Sequence, residues 1–442
     1  MTKSILIPIN NVSAKGDYCA EVDIGQPPQP QHLIVDTGSS TLVVNQHTYN
    51  GTQDKTLAPT TYLQHMRYGM GDWVGPVVHS SVHLGEPQSK VLIEEVAISV
   101  AEVDQENTFA SADGIFGLAY KALNHAHDAA VMLANLDLEH TWPWNTKLAE
   151  KVTEKDFAID LQHQPDSQIT PLFTALAEQN VVPDQFAFLV HRSSIFQTDS
   201  KKTESELVEH PLNRGILAVG NPHLHTHLHK CNYQHVKVLD DKYYNVELLS
   251  IEVKGQVPIP APRLSEKQKQ RFGSNAIVDS GASAIVLPPQ MFDSLFWQLC
   301  QYNPKFSSIL ESFKVFTGKE QGIPIQLVDL DEWPDIAFQL TSIGQQPVTL
   351  VLSPHSYWQT HAPQSNQISF KLTTLPNWGA QAILGLPLLC EYYSIFDRRA
   401  EQFGVISFAD KHIAPHRLHD SIHNNLAKLT QIFEQHKLHS NK

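Results

Sequence analysis

The chain carries one long-period repeat, and that repeat constrains its architecture more than any other feature. Residues 33–44 read LIVDTGSSTLVV and residues 276–287 read AIVDSGASAIVL. Each copy has three apolar residues, then Asp, Thr or Ser, Gly, a small residue, Ser, and a second apolar run. Asp36 and Asp279 lie 243 positions apart. Each copy also has a later partner of apolar-apolar-Gly-Leu form: Ile115-Phe116-Gly117-Leu118 for the first, Ile383-Leu384-Gly385-Leu386 for the second. One Asp-Thr-Gly triplet occurs in many unrelated chains. Two copies in matched apolar frames, each with a matched second element, point to a duplicated lobe, and 442 residues leave room for two lobes with sizeable cores.

The rest of the chain agrees with lobes built mainly of β-structure. Leu33-Ile34-Val35, Leu42-Val43-Val44, Val91-Leu92-Ile93, Ile277-Val278, Ile285-Val286-Leu287 and Val348-Thr349-Leu350-Val351-Leu352 are short apolar or β-branched runs punctuated by Gly, Pro, Asn and Asp. Helical periodicity is confined to 128–138, 171–180, 289–301 and the C-terminal tail, so the predicted fold class is mainly β with a few short helices, as two lobes related by a pseudo-twofold. The polar stretch 197–214 (QTDSKKTESELVEHPLNR) reads as the seam between copies. The expected organisation is a first lobe over 1–195 with the Asp36 loop, a second over 196–410 with the Asp279 loop, and a tail over 411–442. In the tail, Leu418, Ile422, Leu426, Leu429, Ile432 and Phe433 recur at spacings of three and four. That is a helix with one apolar stripe, expected to dock on its own chain, with a partner helix or an interfacial membrane helix as the alternatives.

Each Asp loop has a chemical reading. A strand delivers the carboxylate, Gly38 or Gly281 permits a tight turn, and the small hydroxyl residues nearby can fix the plane of the carboxylate. Where two such loops meet, two close negative charges cannot both persist, and the pair shares one proton. One carboxylate then acts as base on a trapped water while the protonated one polarises a carbonyl, which is general acid–base hydrolysis without a covalent intermediate, metal or cofactor.

On these residues the sequence resembles the pepsin-like aspartic peptidases, over nearly its whole length from about Asp17 to Ala409. The stretches DYCAEVDIGQPPQ (17–29), YGMG (68–71), ADGIFGLAY (112–120), GILAVG (215–220), KYYNVELLSIEV (242–253), WPDIAF (333–338) and ILGLPLLCEYYSIFDRRAEQFGVISFA (383–409) follow the family order. In style the chain most resembles the bacterial homologues of the shewasin type, which lack a prosegment. The resemblance implies a bilobal fold with the cleft between lobes and an endopeptidase acting on extended polypeptides. Asp36 and Asp279 are then the catalytic pair. Gly38 and Gly281 allow the loops, Ser39 bonds Asp36, and Ser283 is a supporting residue of the second loop. Tyr68 is the flap tyrosine, and Gly69 and Gly71 offer backbone groups to an extended substrate by strand addition. Ile34, Ile115 and Tyr68 line the pocket beside the cleaved bond, and Tyr243 reaches the leaving-group side. Statine-type, pepstatin-like inhibitors are implied ligands, and the chain is expected to be a monomer.

Departures from the family pattern carry expectations too. The family usually places a Trp, bonded to the flap Tyr, where this chain has Val43. Tyr68 is then either freer to swing or held by another donor, for which Trp73 is a candidate. In the second loop Ala282 replaces a hydroxyl residue, which removes one hydrogen bond to Asp279. Losing a bond that favours the ionised form raises the pKa of the pair. Leu386 stands where pepsin commonly has an acidic residue. Together these predict a rate optimum near pH 4–6, less acidic than that of pepsin.

Composition excludes several other functions. Net charge is −14 with neutral histidines, and no basic run offsets it, which disfavours nucleic acid and anionic lipid. Protonating all 24 histidines would take the charge to +10, so the sign flips in mildly acid solution, through a histidine-rich surface or through pH sensing. No stretch is long and apolar enough to span a membrane, and the opening residues do not read as a signal peptide. Cys19, Cys231, Cys300 and Cys390 lack metal-like spacing and the partners of the family's disulfides. Cytosolic thiols are the simpler reading, with two disulfides in a secreted chain the alternative, and the expected location is cytoplasmic. In the run 222–229 (PHLHTHLH), a strand would line four imidazoles along one face. The choices there are an exposed hairpin, an adventitious zinc or nickel site, or a required metal. No phosphate-binding glycine loop, HExxH or serine nucleophile elbow is present. The second functional reading is a pepsin fold that binds peptides or proteins without cutting them, supported only by Val43 and Ala282.

Overall fold

The computed structural model describes residues 4–67, 71–85, 90–105, 108–316, 318–376, 379–413 and 430–431. Contacts divide the chain into two compact units, Cys19–Pro183 and Met1–Tyr18 with Asp184–Lys442. Both are built mainly of strands, as the short apolar runs predict.

The first unit contains β2 (Asp17–Ile24), β3 (Gln29–Asp36), β4 (Leu42–Asn45), β5 (Ala58–Arg67), β6 (Asp72–Leu84), β7 (Val91–Ala101), β8 (Val103–Gln105) and β9 (Gly114–Gly117), all following β1 (Ser4–Ala14) of the second unit. Five of these strands lie in the order β2-β3-β9-β4-β7. β5 and β6 form a long antiparallel hairpin whose neck closes at Arg67↔Asp72. Short helices at Ala130–Asn135, Thr146–Val152 and Phe157–Gln162 follow β9. Their apolar faces, with Met132, Leu133, Leu148, Phe157 and Leu161, pack on Leu63 and Val74 of the hairpin. These helices therefore brace the hairpin. Burying those side chains removes apolar surface from water at about 25 cal/mol per Å².

The second unit repeats the five-strand frame. Asn245–Val246, Ala276–Val278, Ala382–Leu384, Ile285–Val286 and Leu372–Thr373 are ordered in that sequence across their sheet. The senses of pairing match as well. In both units the strand leading to Asp is antiparallel to its outer neighbour and parallel to the apolar-apolar-Gly strand, which is antiparallel to the strand after the loop. Register is conserved between the copies: Ile34 faces Cys19 and Ile115, and Ile277 faces Asn245 and Ile383. The sequence repeat is thus a repeat of strand order, direction and register.

The seam differs from the sequence expectation. Residues 4–18 and 184–195 belong to the second unit and not to a lobe over 1–195. The cause is long-range pairing: β1 runs antiparallel to Arg214–Gly220 from Ser4↔Gly220 to Asn10↔Arg214, and Gln185–Leu189 pairs with both Arg214–Gly220 and Tyr392–Asp397. Helices at Leu172–Glu178 and Pro289–Tyr302 fall where periodicity placed them, as does Ala130–Asn135 within 128–138. Of the predicted tail helix only Thr430 and Gln431 lie within the described residues.

The histidine run is not a strand. Pro222–Leu224 forms a single 3-10 turn, because Pro222 starts a turn and cannot donate to a ladder. The imidazoles therefore do not share one face. His229 is buried and stacks on Tyr393 at 4.5 Å between ring centres, which places it in the core and not on an exposed hairpin.

Candidate active site

Asp36 ends β3 and Asp279 follows Ala276–Val278, so in each unit a buried strand delivers the carboxylate. Each carboxylate is held by the same backbone group. Gly38 N–H donates to Asp36 Oδ1 at 2.7 Å, and Gly281 N–H donates to Asp279 Oδ1 at 2.9 Å. A fixed donor at this distance orients the carboxylate.

The apolar-apolar-Gly strands hold each loop from behind. In the first unit Leu118 N–H donates to the Asp36 carbonyl at 2.7 Å, Ala119 N–H to the Ser39 carbonyl at 2.7 Å, and Gly117 N–H to the Thr41 carbonyl at 3.0 Å. In the second, Asp279 N–H donates to the Leu384 carbonyl at 3.1 Å and Leu386 N–H to the Ala282 carbonyl at 2.8 Å. The glycine is required by the closeness of this approach. A Cβ on Gly117 would sit 2.5 Å from the Ser40 carbonyl carbon and the Thr41 nitrogen; one on Gly385 would sit 2.3 Å from the carbonyl oxygens of Ala282 and Ala284.

Side chains alternate along β3, so Ile34 and Asp36 share one face of it. Ile115 pairs directly with Ile34 across the parallel ladder. The two isoleucines and Asp36 are 7, 5 and 8% exposed, whereas Leu33, Val35 and Phe116 are fully buried, so this face alone keeps access to solvent. Ile34 and Ile115 thus stand together on the face of the sheet that carries Asp36. Ile277 and Ile383 form the matching pair beside Asp279. Sequence reasoning did not single them out, although the repeat itself carries the signal. Tyr243 is half-buried in the turn before Asn245–Val246, the strand next to the one that delivers Asp279.

Other expectations resolve differently. The Ser39 hydroxyl is buried and makes no hydrogen bond among the described residues, so the bond to Asp36 is made by Gly38 N–H and not by Ser39. Ser283 is half-buried, as is Ala282, whose N–H donates to the Asp279 carbonyl at 3.4 Å. Gly71 immediately precedes β6 with φ 89°, a conformation that glycine adopts readily. Tyr68 and Gly69 lie outside the described residues. Val43 is fully buried between Ile115 and Ser99. Trp73 is also buried, with its indole N–H lacking an acceptor among the described residues. The four cysteines form no disulfide among the described residues, and no helix there is long and apolar enough to cross a membrane.

Comparison with known proteins gives the same picture. The family model described as eukaryotic aspartyl protease matches residues 17–210 and 214–409. The chain is similar to a beta-secretase of Strongylocentrotus purpuratus, at 23% identity over 406 residues, covering 88% of this chain and 65% of that protein. It is similar to pepsin A of Canis lupus familiaris at 22% over 409 residues, with 89 and 81% covered, and to cathepsin D of Chionodraco hamatus at 22% over 404 residues, with 88 and 80% covered. The family match takes in both Asp loops and both strands behind them, and on that match this chain belongs to the eukaryotic aspartyl protease family.

Proposed function

We propose that the protein is an aspartic endopeptidase that hydrolyses peptide bonds of extended polypeptides at mildly acid pH. The observation that carries this is the matched clamp: in two frames of identical strand order, a glycine N–H two residues on holds the carboxylate of Asp36 and of Asp279. One carboxylate takes a proton from water as its oxygen attacks the scissile carbonyl. The other, protonated, donates to the carbonyl oxygen. Collapse of the tetrahedral intermediate then needs a proton on the leaving nitrogen, which the first carboxylate returns, so no cofactor or metal enters the balance. Ile34 and Ile115 favour hydrophobic side chains beside the cut, and Tyr243 serves the leaving-group side.

Pepsin-like proteins generally bind polypeptides and pepstatin-type inhibitors, and both are assigned here on that ground. Monomeric state and a cytoplasmic location belong to the same proposal, the latter supported by the absence of disulfides among the described residues. The test is digestion of an oxidised, unfolded protein from pH 3 to 7 by wild type, by Asp279→Ala, and by wild type with a statine-type inhibitor. Cutting that disappears in the last two, with a maximum at pH 4–6, supports the reading. Folded wild type that cuts at no pH but retains inhibitor or peptide would replace it with the binding-protein reading, which Val43 and Ala282 favour.

A further inference from the structure

Four buried polar side chains lie behind the Asp36 loop with no part in the chemistry above. Thr41, Gln64, Ser99 and Asn124 are each 2% exposed or less. They come from the end of the loop, from β5, from β7 and from the turn after Lys121–Leu123. Thr41 Oγ1 donates to Asn124 Oδ1 at 2.9 Å. Gln64 Nε2 donates to the same oxygen at 2.9 Å and to the His125 carbonyl at 2.7 Å, and the Ser99 hydroxyl donates to Gln64 Oε1. Both N–H bonds and the carbonyl of the Gln64 amide are engaged.

An apolar side chain would fill this space without the desolvation that a buried amide suffers. What the amide adds is direction, since a fully satisfied buried network fixes the elements that it joins. The backbone is shaped to admit it. Gly75 faces Gln64 across the hairpin, and a Cβ there would lie 1.7 Å from the Val100 carbonyl oxygen. The hairpin therefore rests against β7 closely enough for one side chain on β5 to reach both Ser99 and Asn124. Through Asn124 the network continues to Thr41, whose carbonyl accepts the Gly117 N–H behind the Asp36 loop.

We propose that Gln64 and Asn124 are positioning residues that lock the strand leading into residues 68–70 to the loop that holds Asp36, so that hairpin and carboxylate keep one geometry. The proposal rests on the peptidase reading for its effect on rate, but not for the coupling itself. Both are measured, by peptide cleavage and by amide hydrogen exchange over 36–41 and 58–67, in wild type, Gln64→Leu, Gln64→Glu and the milder Thr41→Val.

The expected result is a joint rise in exchange of both segments in Gln64→Leu, and a smaller joint rise in Thr41→Val. The fall in kcat/KM for Gln64→Leu should be roughly three- to tenfold, the worth of one net hydrogen bond. Gln64→Glu gives a signature that loss of packing would not. Ionised, its carboxylate faces two acceptors; protonated, it donates to one of them. Its rate relative to wild type should therefore recover as pH falls. Exchange that rises in one segment only, a pH-independent ratio for Gln64→Glu, or wild-type cleavage by Gln64→Leu would each overturn the proposal. If wild type cleaves nothing, the peptidase reading fails, and exchange alone still decides the coupling: a joint rise supports it and a rise in one segment overturns it.

Discussion

Gly385→Ala tests the steric logic of the Asp279 loop. The added Cβ would lie 2.3 Å from the carbonyl oxygens of both Ala282 and Ala284, and approaches under 3.0 Å are essentially never seen for a real Cβ. Relief needs a movement of about 0.7 Å against two oxygens at once, so neither can give way alone. The Ala282 carbonyl is also the acceptor of Leu386 N–H at 2.8 Å, and that bond must stretch. Forcing atoms into a packed interior costs about 1–3 kcal/mol. At about 2–4 °C per kcal/mol, the melting temperature falls by several degrees. The rate suffers more, because misplacing a reacting group by about 1 Å costs about 100-fold. Melting temperature and kcat/KM on a cleavable peptide are measured side by side. Gly344→Ala is the control, since its nearest atom would be the Ser342 hydroxyl at 3.4 Å, and it should change stability by less than about 0.5 kcal/mol. Gly385→Ala with wild-type melting and wild-type rate would refute the reasoning.

Asp54→Asn should destabilise the first unit by about 2–4 kcal/mol, because the carboxylate accepts from Gln26 and Thr56 N–H and from the Tyr49, Thr56 and Ser80 hydroxyls. Burial pushes this carboxyl up, but the hydrogen bonds from Ser80, Tyr49, Gln26 and Thr56 outweigh it and hold the pKa below the ordinary value. The stabilisation is then present above the unfolded pKa and lost as pH falls through the folded one, so melts of variant and wild type should converge in strong acid. Glu102→Gln acts in the opposite sense: burial raises the Glu102 carboxyl to about 7, so charging it penalises the folded state as pH rises from its unfolded value through 7. The variant should match wild type near pH 4 and melt higher at pH 8. Lys371→Met should cost about 3 kcal/mol, measured by denaturant unfolding, because it leaves the Glu320 carboxylate without the ammonium 2.8 Å away. Its cost should shrink once acid protonates Glu320.

The two Asp frames were legible in the sequence because the features that make them work are local: an apolar run for the strand, a hydroxyl residue and glycine for the turn, and a second glycine strand that must approach without a side chain. The repeat itself says only that the lobe is duplicated; strand order and register are properties of the folded sheets. The unit boundary was not legible, because nothing in SILIPINNVSA says that its partner begins at Arg214; that pairing is a choice among edges made in the folded chain. The alternation in the histidine run lines up its imidazoles only if the run is a strand, and Pro222 sets a turn instead. The family resemblance implies a bond from Ser39 to Asp36, whereas the backbone N–H of Gly38 makes it. Gln64 and Asn124 gave no signal, since a polar residue in a strand or turn ordinarily faces water, and only the folded frame brings residues 41, 64, 99 and 124 together.

The central claim is that Asp36 and Asp279 act as one catalytic unit. It is tested most directly by kcat/KM for peptide cleavage in Asp36→Asn, Asp279→Asn and the double variant, with folding verified for each. Residues that share one step are not additive, so each single variant should fall to the same floor as the double. Retained cleavage in either single variant, or losses that multiply in the double, would contradict the claim.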